Sequence, residues 1–390
     1  MLTALVSPLA RAPRCSSGWK AFAPERDLVS LHYDCAADPD DLTSSAADRT
    51  LLESQFGTMW LRTHVIPVVG AFGKNTDYQE VPCEAVAQAV WGDATGFLRA
   101  RWPRASGALE TSARELALAY VARRWVETFA DGGEVYVKEG GQSGFTSEVV
   151  QRLPPGHGHC VHVVQHSVWN EEMNGDNVTA FMLAHVDYLG PKNNGRGPIT
   201  DGNGPMQMLR GQWNVPFLNA ARASWISCAW HVAFREFQTL PSWCDWKNGA
   251  QYLPPSECLD FSDTHELAYI LGLAPLRIEE MMRRLSWTAP RNAPAPASRG
   301  DEGTSSGRLR PVNCSVPLPI GEDLIQPLVA LLPPPAPPAP RMPPPLPPVP
   351  PNPPPPPPSP PRRHPRCGRC PCRCRTHSRP ALCLEGCRLR

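Results

Sequence analysis

The sequence predicts an α+β fold, in which a helix-dominated irregular body carries one antiparallel hairpin and is followed by a disordered, proline-rich C-terminal tail. Apolar stripes with the helical period of 3.6 residues recur between residues 84 and 285, and two β-branched segments flank a turn near residue 175. Near the C-terminus, 21 of the 29 residues from 333 to 361 are proline, which favours extended polyproline II.

Composition divides the chain into four segments. Residues 28–288 form the predicted folded body, and residues 1–27 are a poorly defined N-terminal segment. Proline and alanine dominate residues 289–361, and residues 362–390 form a basic, cysteine-rich tail. The last two segments contain too few large apolar side chains to offset the entropy lost on ordering, so we expect them not to pack a core.

Four helices are predicted from apolar stripes on one face. They cover residues 84–91, 112–131, 216–238 and 263–285, and the last of them breaks at Gly272. The second begins with a capping box, in which Ser112 is followed three residues later by Glu115, and it ends at a pair of glycines.

The antiparallel hairpin is predicted from two segments, residues 160–169 and 178–189, that are rich in β-branched and aromatic residues. The loop between them contains Asn174-Gly175, a pair that favours hairpin turns. Shorter strands are predicted at residues 61–69 and 134–138.

The basic charge of the chain is concentrated in its tail. The net charge is +1, but residues 362–390 contain nine arginines and one acid, Glu385, so the rest of the chain has a net charge of −7. If the protein contacts a polyanion, we expect the tail to do so. The candidate nucleic-acid contacts are Arg362, Arg363, Arg366, Arg369, Arg373 and Arg375.

The 14 cysteines fall into two groups. Eight are scattered through residues 15–314 without paired spacing, which predicts reduced thiols and not a disulfide framework. The other six lie in the last 24 residues, beginning with the pair Cys367 and Cys370. This group either closes a zinc knuckle or forms part of an unstructured basic arm.

Three histidines are the strongest candidates for chemistry. His157, His159 and His162 have the spacing of the metal-binding loop of metallo-β-lactamase-like hydrolases, where imidazoles converge on zinc. However, Val161 stands where that loop has an aspartate, and the following residues resemble a strand. A zinc hydrolase is therefore the alternative function, and polar histidines on an exposed strand are the simpler interpretation.

Two weaker patterns also suggest catalysis. Residues 141–144 resemble a nucleophile elbow around Ser143, but Phe145 replaces the final glycine. Glu171, Glu172 and Asp176 offer paired carboxylates of the kind that glycoside cleavage uses, although turn-forming residues surround them. We expect no catalytic residue, metal ligand or cofactor from these patterns.

Four segments resemble the C-terminal half of capsid proteins from totivirus-like (victorivirus-type) double-stranded RNA viruses of fungi. They read LHYDC at 31–35, QFGTMW at 55–60, WNEEMNGDN at 169–177 and GQWNVPFLNAAR at 211–222. The likeness covers residues 28–345, since that family also has a proline- and alanine-rich C-terminus. The arginine- and cysteine-rich end departs from its pattern, so the chain would be a partial or diverged copy.

The resemblance implies a structural protein of the virion. Copies of the chain would assemble with one another into an icosahedral shell around the RNA genome and its polymerase, in the virion and the host cytoplasm. No apolar run approaches the ~18 residues of a membrane span, so no membrane partner is expected.

Overall fold

The computed structural model describes residues 15, 18–35, 40–72, 83–101, 108–191, 214–238 and 260–288. The proline tract, the cysteine-rich tail and its six candidate nucleic-acid contacts therefore lie outside the described residues. Within the described part of the chain, no helix is long and apolar enough to cross a membrane.

Six strands form one sheet, and every pair of neighbours is parallel. The strands are β1 (Leu28–Tyr33), β2 (Val65–Val69), β3 (Leu98–Arg99), β4 (Val135–Glu139), β5 (Val161–Gln165) and β6 (Asp187–Leu189). Their order in the sheet is β3-β2-β1-β4-β5-β6. All residues of β1, β2, β4 and β5 are buried, as expected for a parallel sheet that is covered on both faces.

Helices cover both faces of this sheet. Those of the described residues are α1 (Asp40–Phe56), α2 (Thr58–His64), α3 (Cys83–Trp91), α4 (Ala108–Ala130), α5 (Gly144–Gln151), α6 (Val168–Met173), α7 (Asp176–His185), α8 (Asn214–Ala223), α9 (Ser227–Gln238), α10 (Thr264–Ile270) and α11 (Ile278–Leu285). One core lies between the sheet and α1, α3 and α8–α11, and a second lies between the sheet and α4, α5 and α7. The architecture is a doubly wound α/β fold.

The predicted antiparallel hairpin is wrong, and the α+β class with it. Residues 176–185 form α7 and not a strand, and the short β6 that follows runs parallel to β5. Two parallel neighbours need a crossover connection, which α6 and α7 provide. Gly175 has φ 73° and is the N-cap of α7, so it lies between two helices and not in a hairpin turn.

The helix α7 could have been recognised from the spacing of its apolar residues. Val178, Phe181 and Met182 follow the i, i+3, i+4 pattern, and all three pack into the second core. Their β-branched and aromatic side chains favoured a strand, but contacts with the sheet decide the outcome.

The other predicted elements agree more closely with the structure. The helices at 84–91 and 112–131 are confirmed as α3 and α4, and that at 263–285 is confirmed as α10 and α11 with a break between them. The helix predicted at 216–238 is divided into α8 and α9 at residues 224–226. The strand at 134–138 is confirmed as β4, while the segment at 61–69 is the end of α2 followed by β2.

Five of the scattered cysteines in the described part of the chain, Cys228 among them, are disulfide-bonded, contrary to the expectation of reduced thiols. Cys15 is bonded to Cys160 and Cys35 to Cys83. The partners are 145 and 48 residues apart in the chain, so only the tertiary fold brings them together and their sequence spacing gave no sign of it.

Replacing Trp230 with alanine should destabilise the fold strongly. Its ring is fully buried in α9 between Phe217 and Phe261, and its Nε1 donates to Thr50 Oγ1 at 3.2 Å. Truncating such a side chain leaves a cavity and removes one of the two hydrogen bonds of the Thr50 hydroxyl, which still donates to the carbonyl of Ala46. The cost is about 3–5 kcal/mol in unfolding free energy. Urea unfolding measures this, with Trp169→Ala as the control because Trp169 is 40% exposed. Equal losses in the two variants would contradict the prediction.

Candidate functional site

The carboxyl edge of the sheet is the part of this fold where a ligand site is expected. Strands β2 and β3 lie on one side of β1 in the sheet, and β4, which comes next in the chain, lies on the other side of β1. In open α/β sheets, ligands bind outside the carboxyl ends of the strands at such a reversal of strand order. Polar residues follow the strands here, with Asp34 after β1, Gly140 after β4 and His166 after β5.

A buried ammonium group lies at the centre of this edge. Lys138, near the end of β4, is fully buried, and its Nζ is 3.4 Å from Asp48 Oδ2, 3.8 Å from Asp41 Oδ1 and 3.9 Å from Asp263 Oδ2. The same Nζ lies 4.2 Å above the ring of Tyr33. Burial alone lowers the pKa of Lys138, but the three carboxylates outweigh this and raise it. The lysine is therefore charged in the folded protein.

The carboxyl groups around Lys138 are harder to ionise than usual. Burial raises the pKa of Asp48 to about 6, although the ammonium of Lys138 and the hydroxyl of Tyr33, which donates to Asp48 Oδ2 at 2.8 Å, lower it in part. Burial also raises the pKa of Asp263 well above its usual range, with Asp40 and Asp41 adding to the effect. One ammonium does not fully compensate so many buried carboxylates.

His166 connects this group to α10. Its Nδ1 is 2.9 Å from Glu266 Oε1, and its Nε2 is 3.1 Å from Asp263 Oδ1. Its backbone N–H donates to the carbonyl of Glu139, which fixes the ring beside the end of β4. Burial alone lowers the pKa of His166, but Glu266 more than offsets this and raises it.

Negative charge exceeds positive charge in this cluster. We use the name edge cluster for its seven buried side chains, which are Asp40, Asp41, Asp48, Lys138, His166, Asp263 and Glu266. Five carboxyl groups face two cationic groups, an excess of three negative charges if all seven ionise. Five oxygens of the cluster, which are Asp41 Oδ1, Asp48 Oδ1, both carboxylate oxygens of Asp263 and Glu266 Oε2, have no hydrogen-bond partner among the described residues, and neither has Lys138 Nζ. The cluster therefore holds more acceptors than donors.

Two glycines after β4 allow the cluster to close around the strand end. A Cβ at Gly140 would lie 2.9 Å from Asp41 Oδ1 and 3.0 Å from Asp263 Oδ2. A Cβ at Gly141 would lie only 2.1 Å from the Cβ of Asp34. Because the side chains of α1 and of the segment before α10 approach the backbone so closely, no larger residue fits at either position.

Ser143 lies between β4 and α5, in the strand–turn–helix context of a nucleophile elbow. Its Oγ, however, donates to Gln165 Oε1 at 2.5 Å, and the amide of Gln165 donates to the carbonyl of Gly141 at 2.6 Å. A serine nucleophile needs a base as its acceptor, and an amide oxygen is not one. The hydroxyl instead holds the β4–α5 turn in place.

The three histidines of the zinc hypothesis are not brought together. His162 is buried in β5, with Nδ1 2.9 Å from Asp187 Oδ2 and Nε2 2.7 Å from Glu134 Oε2, so both nitrogens have carboxylate partners. His157 and His159 lie in a 3₁₀ helix before the strand, and among the described residues these three do not form a group of converging ligand atoms. The chain changes from 3₁₀ helix to strand at Val161, which breaks the loop that the spacing suggested.

The carboxylates of the weak acid–base pattern differ in their surroundings. Glu171 is buried in α6, where its Oε1 leaves no space for a Cβ on Gly190. Glu172 and Asp176 are exposed. The edge cluster was not predicted from the sequence. Lys138 near the end of β4 and His166 directly after β5 are charged or titratable residues at the ends of short apolar strands, and this signal could have found them.

A cavity of about 310 Å³ lies at the opposite edge of the sheet, near the start of β1. Its lining includes Asp27, Arg124 and Glu127. Arg124 lies 3.7 Å from Glu127 and Arg26 lies 3.6 Å from Asp27, so each of the two lining arginines has a carboxylate partner.

Comparisons of the chain with models of protein families, with curated proteins and with solved structures found no match. The chemistry of the carboxyl edge is therefore the basis on which a function is proposed.

Asp48 is expected to make stability depend on pH. Its pKa of about 6 in the folded protein lies above the ordinary value of 3.8, so the folded state holds a proton that the unfolded state releases. This stabilisation is complete below about pH 3.8 and is lost as the pH rises through 6, by up to about 1.4 kcal/mol per pH unit.

Asp48→Asn keeps an acceptor for the Tyr33 hydroxyl and removes the titrating group. Urea unfolding between pH 4 and 6 should then show a flatter dependence of the unfolding free energy on pH than in the wild type. The same slope in both proteins would show that Asp48 does not titrate in this window.

Proposed function

We propose that the folded body binds a small polar ligand beside the edge cluster, at the carboxyl ends of β1, β4 and β5. The observation that carries this proposal is the concentration of buried polar atoms without hydrogen-bond partners beside the reversal of strand order. Asn170 adds to it, because its Nδ2 donates to the carbonyl of Gly140 at 3.1 Å while its Oδ1 is left without a partner.

The net charge of the edge cluster limits the class of ligand. Carboxylates outnumber cations in the edge cluster, and the ammonium of Lys138 is already surrounded by three of them. A free anion is therefore repelled, whereas hydroxyl groups, amines and cations supply the missing donors. We infer a polyhydroxylated or cationic ligand.

A purely structural ion network is the simpler alternative. Buried polar groups that serve stability alone are nearly always satisfied, because each unpaired one costs about 1–3 kcal/mol. Apolar residues of similar volume often stabilise such a site equally well. Unsatisfied oxygens on Asp41, Asp48 and Glu266 favour a ligand that completes them.

Thermal unfolding of the full chain against four ligand classes tests this proposal. The classes are nucleosides and sugars, polyamines and amino acids, sugar phosphates, and nucleotides, all in EDTA. A compound from the first two classes should raise the unfolding temperature, since a ligand at 100 times its Kd adds about 2.7 kcal/mol.

Asp41→Asn should reduce that ligand-induced shift, because it removes charge at the unpaired Oδ1 while an amide oxygen can still accept from the N–H of Cys35. Glu115→Gln is the matched control, because Glu115 is exposed on α4. The proposal fails if no compound stabilises the wild type or if the shift is unchanged in Asp41→Asn.

A subunit of a viral shell, as the sequence resemblance implies, is the second proposed function. One observation favours it. Three large apolar side chains are exposed among the described residues, and two of them, Met59 (73%) and Trp169 (40%), lie within the segments that resemble the capsid proteins. Subunits of a closed shell bury apolar surface against one another.

Glutamate at both positions should then prevent assembly. Negative-stain electron microscopy and sedimentation of the full chain should show particles for the wild type and only small species for Met59→Glu/Trp169→Glu, because charge at an apolar contact is costly to bury. Leu183→Glu is the control, since Leu183 is 43% exposed but lies outside those segments. A wild type without particles, or particles in the double variant, would refute the shell proposal.

A further inference from the structure

One part of the edge cluster has the geometry of a metal centre. Asp40, His166 and Asp263 each direct one ligand atom to a common region, and these atoms lie within 4.8 Å of one another. Ligands about 2.0–2.2 Å from one ion are roughly 3–4 Å apart, so the three atoms can share a cation. His166 Nε2 and Asp263 Oδ1, at 3.1 Å, already have this separation.

Glu266 orients the histidine as it would in a metal site. Its Oε1 is 2.9 Å from His166 Nδ1, where it accepts the N–H of that nitrogen. A metal ion that displaced the proton of Nε2 would meet the lone pair of that nitrogen, which faces the carboxylate of Asp263 at 3.1 Å. A carboxylate that holds the far nitrogen of a ligating histidine is a recurrent feature of metal centres.

A second observation, separate from the three ligands, points to a missing cation. Asp41 Oδ1 belongs to a side chain that is 99% buried, and it has no hydrogen-bond partner among the described residues. It approaches Gly140 from the same side as Asp263 Oδ2, since both oxygens lie within 3.0 Å of the position that a Cβ would take there. The cationic neighbour of this oxygen, Lys138 Nζ at 3.8 Å, is shared with Asp48 and Asp263, so it compensates the charge of these carboxylates only in part.

We infer that Asp40, His166 and Asp263 bind a divalent first-row transition metal ion such as Mn²⁺ at the carboxyl edge of the sheet, with Glu266 as the positioning residue. Mixed oxygen and nitrogen ligands suit such ions, and the ion offsets the excess of negative charge. The oxygens of Asp40 accept from the N–H of Asp41 and the hydroxyl of Ser262, and a carboxylate offers about four lone-pair sites in all.

This inference rests on the proposed ligand site but is tested without any organic ligand. A bound ion also changes which ligands can bind at the edge cluster, because a cation attracts the phosphates and carboxylates that the metal-free cluster repels. If no compound stabilises the protein in EDTA but the metal ion binds, only the proposed ligand classes are rejected.

Mn²⁺ binding to the full chain, stripped with EDTA and dialysed, is the experiment. Mn²⁺ is preferred to Zn²⁺ because the six cysteines of residues 367–390 offer thiolates, which favour zinc. Electron paramagnetic resonance counts bound and free Mn²⁺, and electron spin echo modulation detects a coordinated imidazole nitrogen. We expect one tight Mn²⁺ per chain with nitrogen modulation.

The variants separate ligation from a general effect of charge. Asp40→Asn, which can keep its oxygen as an acceptor, and His166→Gln should each weaken Mn²⁺ binding at least 10-fold, and His166→Gln should remove the nitrogen modulation. Glu266→Gln should weaken binding by about 10- to 100-fold and keep the modulation, as expected for a residue that acts through the ligand. Circular dichroism confirms that each variant is folded.

His157→Ala/His159→Ala is the matched control, because these histidines lie outside the cluster and should leave affinity and modulation unchanged. The inference is overturned if the wild type binds no Mn²⁺ below about 1 mM, if the bound ion shows no nitrogen modulation, or if Asp40→Asn and His166→Gln bind as the wild type does.

Discussion

The buried ammonium of Lys138 is the group on which the arrangement of this half of the molecule depends. It extends from β4 and lies between Asp41 and Asp48 of α1 on one side and Asp263, just before α10, on the other. A single charge thereby joins the sheet to two helices that are more than 200 residues apart in the chain. Removing the ammonium would leave three buried carboxylates without compensation, which typically costs about 3–5 kcal/mol.

This dependence also explains why α1 was not recognised in the sequence. A helix that packs on a sheet normally shows an apolar stripe, whereas α1 buries Thr43, Ser44, Asp48 and Arg49 among its polar residues. Several of these polar groups have partners in other segments, as when Arg49 Nη1 donates to Asp93 Oδ1 at 2.7 Å and the Tyr33 hydroxyl donates to Asp48 Oδ2 at 2.8 Å. Nothing in the local pattern records partners supplied by distant segments, so hydrophobic periodicity failed for the helix that supplies three of the seven residues of the edge cluster.

The elements that were predicted correctly have the opposite character. Trp125 and Phe129 of α4 are buried and belong to the apolar stripe from which the helix was predicted. A period of 3.6 residues can be recognised without knowledge of the fold. The parallel sheet needed one further step. Short apolar strands alternate with helices along the chain, and this order predicts right-handed crossovers and a parallel sheet, while Asn174-Gly175 suggested a hairpin from two residues alone. The order of elements was the stronger signal.

The two proposed functions meet at α6. Trp169 is exposed, and the next residue, Asn170, holds the turn after β4 through the carbonyl of Gly140. A subunit that packed on Trp169 would therefore lie next to the proposed ligand site, and it would restrict the entry of ligands there. The edge cluster itself needs no partner chain, because all seven of its side chains come from one copy. A shell contact and a ligand site at this edge are thus distinct in their residues but coupled in their access to solvent, and α6 is the element through which one would affect the other.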